Sequence, residues 1–192
     1  VVGVDIKPQP HYPFEFHQAD ALEYLAKHGH EFDVIHASPP CQTYSVLAHF
    51  ANEKLDLIPP VRQLLQQIGR PFVIENVPGA PLQGTLMLCG TMFGLGVIRH
   101  RIFECWPAIF FPPRPCAHQG NATGCRMRKR GITRTPRLSD GFNYVSVAGN
   151  NYLADEGRQA MGIDWMPKKS LSQAIPPAYT QFIGSFMREL IL

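Results

Sequence analysis

The 192 residues, 45% of them hydrophobic and with a formal net charge of +3, suffice for one globular domain with a small insert. No apolar run reaches the roughly 18 residues that a membrane-spanning helix needs, and the opening residues read as a strand, not a signal peptide. Five irregularly spaced cysteines (Cys41, Cys89, Cys105, Cys116 and Cys125) argue against a secreted disulfide framework and for a reducing cytoplasm.

In chain order, VVGVDI (1–6) is an apolar run ending in Asp5 and predicts a buried parallel strand. Pro8, Pro10 and Pro13 mark a loop, and 14–20 predicts a second strand. Asp20 then stands where an N-cap belongs, ahead of a helix that stops at Gly29. FDVIHAS (32–38) predicts a third strand running into Pro39-Pro40-Cys41. Residues 59–69 open on two prolines and close on glycine, which predicts a helix. PFVIENV (71–77) and RHRIFECW (99–106) predict two more strands. A proline-rich, basic stretch over 107–145 breaks the rhythm and predicts an irregular insert. Helical segments return at 157–166 and, after a turn at Ser172, in the final residues.

Strands alternating with helices predict an α/β fold with a doubly wound sheet. Asp5, Asp20, Cys41 and Glu75 stand at strand ends, on the carboxyl edge where open parallel sheets bind ligands. The charge is uneven. Nine of the 18 Lys/Arg fall between Arg99 and Arg137, opposed there only by Glu104. Such a segment suits a polyanionic partner, or a solvated basic loop. Cys116, His118, Cys125 and Cys105 are zinc-ligand types, but no CxxC pair supports such a set and no metal is expected. Cys89 and Cys105 read as core residues.

Three pieces follow one another at strand boundaries: Pro39-Pro40-Cys41-Gln42, Glu75-Asn76-Val77 and Arg99-His100-Arg101. In this order they resemble the DNA cytosine-5 methyltransferases, whose motifs read Pro-Cys-Gln, Glu-Asn-Val and Arg-x-Arg. SQAIPPAY (172–179) is similar to the family's last motif, with Ser172-Gln173 where Gly-Asn is usual. VGVDI and ADAL match its cofactor-holding strand ends. The resemblance covers nearly the whole chain apart from the basic insert. The small size is similar to that of compact phage and restriction–modification enzymes.

The resemblance implies a Rossmann-like methyltransferase sheet, with a catalytic domain over 1–106 and 146–192 and a target-recognition region over 107–145. It implies methylation of carbon 5 of cytosine in double-stranded DNA, with S-adenosylmethionine as donor and S-adenosylhomocysteine as product. A monomer in the cytoplasm of a bacterium or phage-infected cell is expected. Cys41 would add to carbon 6 of a base swung out of the duplex, since carbon 5 is otherwise too weak a nucleophile. Glu75 would meet N3 and the exocyclic amine, Arg101 would meet O2, and Arg99 would add to the field that favours the Cys41 thiolate. The cofactor would lie against Asp5, Ile6, Asp20, Ala21, Pro39, Gln173 and Ala174, with Asp5 accepting from ribose hydroxyls. Asp20 suits the adenine amine, or serves as a helix cap alone.

Gln42, Ser45 and Asn76 are assigned to the substrate side, Asn76 also holding the loop around Cys41. Residues 43–55 would close over the base. Arg126, Arg128, Lys129, Arg130 and Arg134 would meet phosphates. The family's Phe-x-Gly-x-Gly loop has no counterpart in residues 1–192, and a segment ahead of Val1 is expected to carry it. Without that segment the sheet would lack its first strand and cofactor binding would be weak. A non-catalytic DNA-binding relative and a thymidylate-synthase-like nucleotide enzyme are the competing readings.

Overall fold

Val2–Asp5 (β1) and Glu15–Gln18 (β2) pair in parallel, in register from Val2 opposite Glu15 to Asp5 opposite Gln18. The computed structural model that shows this describes residues 1–41, 44, 56–109, 114–123, 127–129 and 132–189, with the backbone alone at 127–129 and 132–134. The absence of a side chain at Gly3 makes room for Tyr12, since a Cβ there would lie 2.6 Å from its ring. Tyr12 in turn packs on Phe14 and Phe16.

Asp20 caps α1 (Ala21–His28) through Leu22 N (2.9 Å) and Glu23 N (3.1 Å), so the capping role is observed. Glu23 in the first turn and Lys27 and His28 in the last complement the helix dipole. After β3 (Ile35–Ala37), α2 (Ile58–Ile68) starts on Pro59-Pro60 and is closed by left-handed Gly69 at φ 69°. It leads into β4 (Phe72–Asn76), which is buried throughout and pairs in parallel with β3. Val61, Leu65, Phe72 and Ile74 form the core there, with Leu22 and Leu25 of α1 and Ile35 and Ala37 of β3 packed against them.

The sheet departs from the expected doubly wound one. β5 (Leu86–Leu88) and β6 (Arg101–Trp106) give a four-stranded sheet of order β3-β4-β6-β5, and β6 runs antiparallel to β4. The physical reason lies in the connection. A parallel return needs a crossover, usually a helix, and residues 77–100 hold only a short strand and one 3-10 turn. β1 and β2 form a separate two-stranded sheet. The fold is therefore mixed α/β, with one small mixed sheet. No described helix is long and apolar enough to cross a membrane.

The units also differ from the expected 1–106/146–192 and 107–145 division. One unit comprises Val1–Leu86, Ile102–Phe110 and Met187–Leu192; the other comprises Met87–Arg101 and Phe111–Phe186. Residues 146–186 join the second because Val145, Val147, Tyr152, Met161, Ile163 and Leu171 share a core with Val97. Its helices are α3 (Ala154–Met161), α4 (Lys168–Leu171) and most of α5 (Pro177–Glu189), and its basic part carries the hairpin β7 (Met127–Lys129) and β8 (Ile132–Arg134). Neither the hairpin nor α4 is predicted from sequence.

The glycines of CGTMFGLG (89–96) have a packing role in this unit. A Cβ on Gly90 would collide with the Val97 carbonyl oxygen, and Gly94 closes the 3-10 turn at φ 69°. Gly90→Ala is expected to cost about 1–3 kcal/mol, read as a lower urea midpoint, because the obstacle is backbone and cannot rotate away.

Candidate active site

The parallel pairing of β3 with β4 sends both strands to one edge. Ala37 stands opposite Ile74, so Ser38-Pro39-Pro40-Cys41 continues from the edge at which β4 ends in Glu75 and Asn76. Asn76 is 1% exposed, and its Nδ2 donates to Pro39 O at 3.0 Å while its Oδ1 accepts from Val77 N at 2.9 Å. The Nδ2 end thus binds the Pro-Pro-Cys segment to β4, while the Oδ1 end holds the chain as it leaves the strand. The prolines contribute fixed φ angles on the other side of that bond. The expected loop-holding role of Asn76 corresponds to this contact.

Glu75 is buried at 8% exposure, and Cys41 is half-buried and starts a turn in which Tyr44 N donates to Cys41 O at 3.0 Å. Tyr44 packs with Ile58, Ala80 and Ile102, which anchors the far side of the turn. A thiol on a clamped turn and a buried carboxyl group on the neighbouring strand end can serve nucleophilic addition and proton-sharing chemistry.

The arginines lie in the second unit. Arg99, 7% exposed, donates from Nη1 to Val147 O (2.8 Å) and from Nη2 to Ser172 O (2.9 Å), while its own carbonyl accepts from Tyr179 Oη at 2.6 Å. Its guanidinium holds backbone carbonyls 48 and 73 residues away along the chain. That is a structural task, which the sequence does not announce. Arg101 is half-buried and opens β6, with Nη1 donating to His100 O at 2.8 Å. The next residue, Ile102, pairs with Asn76.

Of the cofactor-side residues, Asp5 and Asp20 come to one edge, because β1 and β2 are parallel and Asp5 is in register with Gln18. Asp5 accepts from Lys7 N (2.8 Å) and Gln9 Nε2 (3.2 Å). A carboxylate has about four acceptor positions, so both groups retain capacity for hydroxyl or amine donors. Ile6 is 66% exposed and Ala21 is exposed at the start of α1. Pro39 is buried. Gln173 is exposed, and its backbone N–H closes the turn onto Ser170 O; Ala174 packs on the second unit's core.

Gln42, Ser45, Arg126, Arg130 and nearly all of the expected closing loop, 43–55, lie outside the described residues. Arg128 is opposite Thr133, Lys129 opposite Ile132, and Arg134 opposite Met127, so these three positions belong to one hairpin.

No family model matches this chain, and no curated protein matches it.

The cysteines divide differently from expectation. Burial pushes the Cys105 thiol up to about 12, with the charge of Glu104 adding to it, so this half-buried residue stays a protonated thiol. Cys125 lies outside the described residues, and Cys105 has no place in the group that the described residues form. Among the described residues, Cys89, His100, Cys116 and His118 instead place their ligand atoms within 4.8 Å of one another. Cys116-x-His118 was the visible half of this group. Cys89 and His100 were missed because nothing local ties them to it.

Proposed function

We propose that this chain carries out S-adenosylmethionine-dependent methylation of cytosine carbon 5 in DNA, on a Rossmann-like arrangement of its β1–β4 edge. The observation that carries the reading is the Asn76–Pro39 hydrogen bond, which ties the Pro-Cys turn to the strand end bearing Glu75. That bond joins two of the three resembling motifs into one rigid edge. The carboxylates of Asp5 and Asp20 suit the ribose hydroxyls and the adenine amine of the donor, and when bound the donor supplies the methyl group.

Cys41 Sγ, as thiolate, bonds to carbon 6 of the extruded cytosine, and the ring's electron pair moves to make carbon 5 nucleophilic. Glu75 hydrogen-bonds N3 and the exocyclic amine, and Arg101 faces O2, so both stabilise the charge that develops on the ring. Once carbon 5 is methylated, its proton passes to water and the electron pair expels Cys41. The basic hairpin and its flanks meet phosphates, giving affinity that falls with salt. The working form is a cytoplasmic monomer of phage or restriction–modification type.

Transfer of labelled methyl groups from S-adenosylmethionine is the test, with duplex DNA and free dCMP as alternative acceptors. Label in DNA alone, mapped to carbon 5 of cytosine, is expected. DNA retention without label would make the chain a non-catalytic DNA-binding relative. Label in dCMP alone would favour a mononucleotide enzyme.

A further inference from the structure

We propose that Cys89, His100, Cys116 and His118 form a structural zinc site in the second unit. The four ligand atoms lie within 4.8 Å of one another. Two of the sulfur–nitrogen pairs are Cys89 Sγ to His118 Nε2 at 3.2 Å and Cys116 Sγ to His100 Nε2 at 3.7 Å. A tetrahedral zinc ion with Zn–S near 2.3 Å and Zn–N near 2.0–2.1 Å separates sulfur and nitrogen by about 3.6 Å. These two pairs bracket that spacing, and separations of up to 4.8 Å across the group would close by about an ångström on loading.

The donor set is specific. Two sulfurs and two imidazoles in a compact group select zinc over magnesium or calcium, which prefer oxygen. All four positions are filled by protein atoms, leaving none for water or substrate, and this is the pattern of a structural site. Loading displaces two thiol protons, so two thiolates neutralise the charge of the ion. The Cys89 thiolate has outside support: the Met92 N–H donates to its side chain, and Thr91 Oγ1 lies 3.5 Å from Sγ.

The placement explains what the ion would do. Cys89 directly follows β5, His100 directly precedes β6, and Cys116 and His118 lie in an irregular stretch. A stretch of that kind, rich in proline and exposed residues, has little apolar surface with which to fix itself. One ion cross-links three chain segments there and fixes the residue next to Arg101. The proposal does not depend on the methyltransferase reading.

Metal analysis of the full chain, purified without chelator from zinc-supplemented culture, tests it. About one zinc per chain is expected. Cys116→Ser and His118→Ala should each lower the zinc content to below about a tenth of that, while Cys105→Ser keeps it. Replacement by cobalt should give the absorption of a tetrahedral thiolate complex, and chelation should lower the melting temperature of the parent chain. Should the ligand variants fail to fold, the metal content and cobalt spectrum of the parent chain decide alone. A soluble parent chain with no stoichiometric zinc and no thiolate–cobalt absorption overturns the proposal. So does stoichiometric iron in place of zinc, or loss of zinc in Cys105→Ser.

Discussion

Cys41→Ser is expected to lower methyl transfer to DNA by a factor on the order of 10³ or more while DNA retention changes less than about twofold. The argument rests on the difference between the atoms. A serine hydroxyl is scarcely ionised near neutral pH and would have to add to carbon 6 as a poor nucleophile, whereas a thiol supplies thiolate readily. The substitution leaves the surroundings intact. The Pro39 carbonyl still accepts from Asn76, and the turn is closed by the carbonyl of residue 41, which serine keeps. Unchanged thermal unfolding should therefore accompany the lost activity. Asn76→Ala is the contrasting change. It removes the clamp, leaves the Pro39 oxygen and Val77 N–H to find other partners, and should lower both stability and activity. If Cys41→Ser turns over at the parent rate, covalent addition is not the mechanism. If Asn76→Ala is silent in both assays, the clamp does not position the thiol.

The parts of this arrangement that were legible in the sequence are those encoded locally. Pro59-Pro60 and Gly69 announced α2 to within a residue at each end, and the continuous apolar run before Glu75 announced β4. The Asp20 cap was visible for the same reason. Strand direction was not, because the pattern of β6 is the same whichever way it runs, and only the lack of a helical crossover over 77–100 decides it. Arg-x-Arg similarly says nothing of which guanidinium reaches distant backbone carbonyls; for Arg99 that depends on Val147 and Ser172, far along the chain. Cys89 and His100 look like a core thiol and a strand-end imidazole until the fold brings Cys116 and His118 to them. In the sequence Glu104 stands out only as the one acid that opposes nine basic residues between Arg99 and Arg137. In the structure Glu104 belongs elsewhere.

Glu104→Met should destabilise the first unit by about 3–5 kcal/mol, a large share of the ~5–15 kcal/mol that holds a typical domain together. Glu104 is 6% exposed and accepts from Arg62 Nε and Nη2, both at 2.7 Å, and from Gln83 N at 2.8 Å. This is a two-point pair between α2 and β6, 42 residues apart in the chain, and Arg62 also donates to Pro81 O. Removing the acid strands a guanidinium and a backbone N–H with little water to replace it, which is why the loss exceeds that of a surface pair. Arg62→Met with Glu104→Met should recover most of the loss, because neither charge is then buried alone; Gln83 N–H stays unpaired and keeps part of it. The position matters to the site, since Glu104 stands opposite Ile74, one residue before Glu75. Trp106, at the end of the same strand and stacked on Phe72, reports the unfolding of this unit in a Trp165→Phe background, where it is the only tryptophan. Urea titrations in low and high salt then separate the cases. A buried pair keeps its effect in salt, whereas a shift below about 1 kcal/mol, or one that salt erases, would make it a surface pair with no part in holding the β4–β6 edge.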